Sequence, residues 1–390
     1  MSRAEVLLRS TLEAFGIRRP VAAPAREPPA PLVVLSSCYL RPDDGWAIAA
    51  RRYARAMAIG GLDVRLSTRG QETNLDGTPE VYAETEPYRR ELPRPPDLIV
   101  TSFALTATPG PAIMEYPGSA VHAVFETADV RPEVARQLRS KLCRGVWTQC
   151  SANQRALAAA GCESNLIGMP WFEDDPLLKV PRPREVKRIL WVGREEPRKA
   201  PDRLVAAFLR AFAPGDGCTL TLKLSDWAST YRYQRVEQSV VEALECSGVS
   251  RRWSLRQATA AITVERNRYS ADEMHALYAS HDAYACTSRG EGWNLPAYHA
   301  KLAGRRVLAT DAGGERDFLG DDDVLVPQPG RVPAPAGEAG ESYADCGLDP
   351  IVAGLQELRR SPGRGVRPSV ALRADAVGRR FREWVERLTS

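Results

Sequence analysis

Apolar residues in this chain gather into short runs separated by stretches with helical spacing. LVVLSSCYL, from residue 32, reads as a strand buried on both faces, since an aliphatic and β-branched run shows no polar side to water. A turn at Pro42, Asp43, Asp44 and Gly45 predicts a helix from about Trp46 to Gly60, stopped by Gly60 and Gly61. Residues 62–66 give the next strand, and strand, turn, helix, glycine, strand is a βαβ unit. The strand signal recurs at 97–103, 120–126 and 145–150, with a helix over 132–142 between the last two.

RILWVG (188–193) starts a second series, followed by a helix over 201–212. Strands are expected at 220–225, 261–267, 283–288, 305–310 and 323–327, with helical patterns between them. Helices over 355–360 and 371–388 close the chain. Two successive βα-alternating series predict an α/β fold of two doubly wound, Rossmann-like domains facing one another across a cleft. The expected division is 1–31 as a helix and proline-rich connector, 32–175 and 188–365 as the two domains, and 366–390 as a closing helix. Residues 174–187 form the hinge. Residues 69–96 are polar and unusually long for a connection.

Composition narrows the class. A hydrophobic share of 44% with 26% charged residues is that of a soluble globular chain. Lys and Arg number 20 against 18 Asp and Glu over residues 1–170, and 33 against 31 over the remainder, so neither half is polybasic. That argues against obligate nucleic-acid binding. The eight cysteines form no C-x-x-C pair, so buried thiols in a reducing compartment are expected rather than disulfides or a metal site. The amphipathic start (Val6, Leu7, Leu12 and Phe15 against Arg3, Arg9 and Glu13) fits docking on its own protein and leaves open peripheral contact at the inner membrane face. Cytoplasm is the default location.

Two stretches could carry chemistry. In SRGEGWNLPAYHAKLAG (288–304), Pro296 suits the first turn of a helix and Gly304 its end. The amides of Gly292, Trp293, Asn294 and Leu295 then lie at a helix N-terminus, where unpaired N–H groups and the helix dipole favour an anion such as phosphate. Glu291 would repel that phosphate and is expected to turn toward sugar hydroxyls. In VGREEPRKAPDRLVAAF (192–208), Arg194 and Lys199 flank a loop after a strand, at the ligand crevice of a doubly wound domain. Together these groups could neutralise a diphosphate.

The pieces WVGREEPRKAPDRLVAAF, SADEMHALYASHDAYACTSRGEGWNLP and LAGRRVLATDAGGERDFL resemble the family 4 (group 1) glycosyltransferases, retaining enzymes of GT-B architecture. GWAIAARRYARAMAIGG and AVFETADVRPEV agree more loosely. The resemblance implies that Arg194 and Lys199 hold the diphosphate of a UDP- or GDP-linked sugar, that Glu291 contacts the donor sugar, and that the amides from Gly292 to Leu295 complete the phosphate site. Gly45 would lie beneath the transferred sugar. It implies no cofactor and no metal, an acceptor-side first domain and C-terminal helices packing back.

Three positions depart from the family. His299 stands where a second glutamate usually takes both ribose hydroxyls, and a neutral histidine accepts only one hydrogen bond. Glu126 stands where a histidine is common near the reacting carbon, and His122 reads as a strand residue. Asp44 replaces the first glycine of a usual pair. These changes keep a second reading open, a non-catalytic nucleotide-sugar-binding partner of an active glycosyltransferase. The acceptor, whether lipid, glycan, natural product, protein or modified DNA, would dock on the first domain. There Arg131, Arg136, Arg139, Lys141 and Arg144 form either a solvated face or an anionic-acceptor site.

Overall fold

The computed structural model describes residues 29–36, 45–67, 85–104, 118–224, 236–245, 249–335, 338–363 and 367–390. The amphipathic start, most of the proline-rich connector, the Pro42–Asp44 turn and most of the polar connection lie outside the described residues. Two six-stranded sheets make up the core. The first holds β1 (Leu32–Ser36), β2 (Asp63–Leu66), β3 (Leu98–Ala104), β4 (Ser119–Val124), β5 (Cys143–Thr148) and β6 (Asn165–Leu166), in the order β2-β1-β3-β4-β5-β6. The second holds β7 (Arg188–Gly193), β8 (Thr219–Leu224), β9 (Ile262–Glu265), β10 (Ala283–Cys286), β11 (Arg306–Thr310) and β12 (Val324–Val326), in the order β12-β11-β10-β7-β8-β9. Every pairing within both sheets is parallel. The expected doubly wound GT-B class is the observed one.

The second sheet's order has a functional consequence. The chain winds outward from β7 to β9, then returns to place β10 on the other side of β7. Loops leaving the carboxyl ends of β7 and β10 therefore part in opposite directions and open a crevice between them, the standard ligand position in such sheets. Residues 194–200 and 287–294 are those two loops.

The two halves share one apolar core that includes Val33, Tyr53 and Trp147 from the first, Leu190, Tyr284 and Tyr298 from the second, and Phe381 and Trp384 from the C-terminal helix. Helix α1 (Gly45–Ile59) packs against the first sheet, and α2 (Ser151–Ala159) follows β5. Helix α3 (Pro201–Ala211) follows β7, and α4 (Leu295–Leu302) follows β10. Helix α5 (Ala374–Thr389) packs back on the first half, as expected. The backbone at its start joins the end of the first half through Trp171 N–H to the Leu372 carbonyl (2.9 Å) and Ala374 N–H to the Trp171 carbonyl (2.9 Å). Among the described residues no helix is long and apolar enough to cross a membrane. The six described cysteines are free, and all but Cys143 are buried.

Besides β6 and α2, for which the sequence pattern sets no expectation, two elements differ from the expected pattern. An antiparallel hairpin, β13 (Gly330–Pro333) and β14 (Ser342–Asp345), follows β12. Proline at 327, 329, 333 and 335 and a scarcity of apolar residues conceal it in the sequence. The helix expected at 355–360 starts earlier, at Leu348, because Pro350 falls in its first turn, where a missing N–H costs nothing.

Helix α5 crosses α1 at Gly60 and Gly378. A methyl group on Gly378 would run into the Ala56 carbonyl, and one on Gly60 into the Gly378 carbonyl. Alanine normally stabilises a helix by roughly 1 kcal/mol over glycine. Gly378→Ala should nonetheless lower stability, by about 1–3 kcal/mol, because backbone must move to admit the methyl. Urea unfolding checks this; a midpoint equal to or above wild type would mean the helices do not approach so closely.

Candidate functional site

The crevice is built by three loops locked to one another. Thr287 Oγ1 donates to the Ala200 carbonyl at 2.8 Å, and Arg289 N–H to the Arg198 carbonyl at 2.7 Å, tying the two switch-point loops together. Glu291 N–H donates to the Ala312 carbonyl at 2.9 Å, bringing in the loop after β11. Among the described residues, two non-glycines have positive φ, Ala200 (46°) and Asn294 (70°), and they precede α3 and α4 directly. Left-handed backbone costs such residues roughly 1–2 kcal/mol each. Here it re-aims both loops as they enter their helices, each of which has proline in its first turn.

Lys199 Nζ lies 2.6 Å from Glu291 Oε1, and both side chains are almost entirely buried. The sequence-predicted pair of Lys199 and Glu291 is therefore together. Arg194, the other predicted cation, has its side chain 46% exposed, and its Nε is 3.7 Å from Glu196 Oε2. The deepest cation is Arg198, which sequence reading passed over. Its Nη1 donates to the Gly290 carbonyl at 2.8 Å, its Nη2 lies 2.5 Å from Glu196 Oε1, and its Nε lies 3.0 Å from Glu126 Oε2. Glu126 comes from the first half, so this last contact spans the crevice.

Charge shapes these carboxylates unequally. Burial alone would raise the Glu291 pKa, but Lys199 and Arg198 overcome it and hold the group below the ordinary carboxylate range. Glu126 is moved the other way. Burial, with Glu291 and Glu196 nearby, raises its pKa despite Arg198 and Lys199. Glu291 was expected to turn away from the phosphate site toward hydroxyls; here it turns to Lys199. The reason is electrostatic, since a carboxylate removed from water needs a cation.

The phosphate-site expectation concerns the start of α4. Asn294 is its N-cap, and Asn294 Oδ1 accepts from Ala297 N–H at 3.3 Å. Pro296 falls in the first turn, as predicted. Gly292 lies against Val124 and Gln149 of the first half so closely that a methyl there would meet Val124. Trp293 is buried and packs on Tyr298 and Phe318. A methyl on Gly45 would stand 3.6 Å from Leu295 Cδ1, so the starts of α1 and α4 meet across the crevice. The far end of α4 is fixed by a fully buried ion pair between Lys301 and Asp323, a contact whose disruption costs about 3–5 kcal/mol.

His299 lies in the last turn of α4, not near its start, with its ring edge-on to Tyr278 at 5.9 Å. Burial first, then Arg52, pushes its pKa down to about 3. The groups responsible are the apolar surroundings and Arg52. His122 is buried on β4 and stacked on Trp147 at 3.6 Å, a packing role as predicted.

Between the β7 loop, Glu126 and the β13–β14 hairpin lies a cleft of about 200 Å³ bordered by Glu126, Arg194, Glu196, Arg198, Glu338 and Tyr343. The last two come from the β13–β14 hairpin. That hairpin grips the first half: Ala128 N–H donates to the Ser342 carbonyl (2.9 Å), Arg131 N–H to the Ala339 carbonyl (2.7 Å), and Ser342 Oγ to Asp129 Oδ2 (2.9 Å). Glu338 and Tyr343 were not foreseen, because the hairpin was not.

With a folded-state pKa below the free value of 6.5, His299 stays neutral while the unfolded chain takes up its proton. Its share of stability is complete above about pH 6.5 and is lost as pH falls toward 3. Two-bond 15N–1H spectra of the imidazole should show one neutral tautomer from pH 5 to 8, to within about a tenth of the population. A titration midpoint near 6.5 would mean that the ring reaches solvent.

Residues 186–338, which carry both switch-point loops, match the family model described as "Glycosyl transferases group 1". No curated protein matches the sequence. Solved structures share the fold at low identity. An α,α-trehalose-phosphate synthase (UDP-forming) from Burkholderia xenovorans is 11% identical with a TM-score of 0.56, covering 93% of this chain and 100% of its own. A sucrose-phosphate synthase from Thermosynechococcus elongatus is 17% identical with a TM-score of 0.55, covering 92% and 95%. Anabaena Alr3699/HepE, solved with UDP and glucose, is 14% identical with a TM-score of 0.52, covering 91% and 99%. Several other matches are longer proteins, and this chain spans 51% of TarM.

Proposed function

We propose, from the match of residues 186–338 to the group 1 glycosyltransferase family model, that the protein moves a sugar from a nucleoside-diphosphate donor to an acceptor hydroxyl with retention at the anomeric carbon. One observation carries the reading: at the β7/β10 switch point Lys199 and Arg198 both meet Glu291 in the turn that leads into α4, and Arg194 borders a cleft with Arg198. This is where the fold puts a ligand, and the charges suit a diphosphate. UDP is the first nucleotide to test, since the Anabaena structure of the same fold holds it; GDP is the second.

On this reading the donor diphosphate takes Lys199 and the arginines, together with the amides of Gly292, Trp293, Asn294 and Leu295. Glu291, set beside Lys199, accepts hydrogen bonds from the donor sugar. The acceptor hydroxyl attacks from the leaving-group face. Its oxygen bonds to the anomeric carbon as the bond to the diphosphate breaks, and the departing phosphate oxygen takes its proton. Negative charge grows on that oxygen, so the cations and amides lower the barrier. Glu126 borders the sugar end and Gly45 lies under it. His299 offers the ribose one hydrogen bond in place of two. No step is assigned to a metal. The free thiols fit a reducing, cytoplasmic setting.

The acceptor is proposed to dock on the first half, and its class is open among lipid, glycan, natural product, protein and modified DNA. His299 and the Glu126–Arg198 contact also support the second reading, a binding partner without turnover. Release of UDP or GDP from a panel of nucleotide sugars separates the two, because a non-catalytic partner binds donor and releases nothing.

Lys199→Ala should leave the fold intact, because Arg198 Nη1 still lies 3.7 Å from Glu291 Oε2. It should lower kcat by about 10²–10³, as removal of one charge-stabilising donor does elsewhere. Donor turnover near the wild-type rate, with an unchanged circular-dichroism spectrum, would defeat the assignment.

A further inference from the structure

The loop after β11 forms the rear wall of the 290–294 turn. A methyl on Gly313 would collide with the Glu291 carbonyl, and one on Gly314 would stand 2.8 Å from Trp293 Cα, so the two backbones are in contact. Next in that loop comes Glu315, which is 0% exposed. Its Oε1 accepts from Asn294 Nδ2 at 2.9 Å, and Asn294 Nδ2 also approaches Cys286 Sγ at 3.3 Å. Glu315 Oε2 is buried with no hydrogen-bond partner.

This geometry fixes an amide. Asn294 can cap α4 only with its oxygen toward Ala297 N–H, and the acceptor at Glu315 Oε1 selects that orientation by taking the NH₂ side. Rotated the other way, the amide would set its oxygen against Glu315 and its NH₂ against a backbone N–H. The same residue holds the left-handed φ that starts the helix. We propose that Glu315 is a positioning residue, acting through Asn294 to set the backbone amides at the start of α4 against the leaving group. The inference rests on the donor-site reading given above.

The charge state of Glu315 then matters. An ionised carboxylate would leave one oxygen bare in a dry site, which costs more than a neutral acid there. Burial first, then Glu291, raises its pKa to about 8. The groups facing it are Glu291 and Asn294 on the turn, Lys199 on the loop after β7, Cys286 at the end of β10 and Cys150 at the start of α2. Asp317, two residues on, is turned to Ser151 N–H at 2.6 Å. Lys199 is the one cation of this set, and Glu291 already holds it. Ionisation of Glu315 therefore adds uncompensated negative charge behind the phosphate site, and nucleotide binding should weaken as pH rises through its pKa.

Titration calorimetry of the full chain with UDP and GDP, from pH 6.5 to 9.5, tests this. Wild-type affinity should fall by up to about tenfold for each pH unit above the midpoint, the slope of a single titrating group. Glu315→Gln keeps an acceptor for Asn294; it should bind within about twofold of wild type at pH 7 and lose the alkaline limb. Glu315→Met removes the acceptor, so it should bind weakly at every pH and speed hydrogen exchange at the Ala297 amide. An unaltered alkaline limb in the Gln variant, or wild-type binding and Ala297 protection in the Met variant, overturns the proposal. Lys199→Ala is measured alongside. If it binds as wild type, or if wild type binds neither nucleotide, the donor-site reading fails and this inference with it. If it weakens binding while both Glu315 variants behave as wild type, only the role of Glu315 is lost.

Discussion

Buried opposite charge at the β7/β10 switch point is the constraint on which the rest of this structure depends. Arg198 and Lys199 sit where water is largely excluded, so each must be paired. Glu196 and Glu291 supply partners from the same half, and Glu126 supplies one from the other. Without donor, the crevice is thus held together by carboxylates on the cations that a diphosphate would need. Donor affinity on the proposed reading is a difference, the attraction of the cations for the diphosphate less the Glu126–Arg198 pairing that it displaces.

The cations can be held so tightly because the backbone around them is over-determined. Ala200 and Asn294 adopt left-handed conformations that neither would choose alone, and each is fixed by the proline-started helix that follows. Gly290, Gly313 and Gly314 allow backbone-to-backbone approach that a single methyl would prevent. Strain, glycine and proline are concentrated on three loops at the carboxyl end of one sheet, while the strands beneath are regular. That separation lets a rigid scaffold carry a precisely aimed site.

The sheets were legible in the sequence for a physical reason. A parallel strand buried on both faces must be apolar throughout, so RILWVG and LTLKL announce themselves, and the observed strands start and stop within a few residues of expectation. The β13–β14 hairpin has one exposed face and several prolines, so it left no such mark. Within the site, Lys199 and Glu291 were legible because their loops follow strands of a doubly wound fold. Arg198 was not. A seven-residue loop has no period, so composition does not reveal which of Arg194, Arg198 and Lys199 turns inward. Glu315 was hidden for a similar reason, since a carboxylate among Gly, Arg and Asp reads as a solvated loop.

His299 and Glu126 mark the two ends of the proposed donor, and each is set by the opposite half of the molecule. His299 on α4 is kept neutral by burial first and then by Arg52 of α1, and Arg52 is itself held by Asp175 of the hinge at 2.5 Å. Glu126 of the first half binds Arg198 of the second. The α1–α5 crossing and the hairpin's grip on Asp129 hold the halves in this arrangement. A donor that touches both ends would therefore sense the relative placement of the halves through both residues at once. Its binding and the opening of the crevice are then one equilibrium, because any separation of the halves removes Arg52 from His299 and Glu126 from Arg198 together.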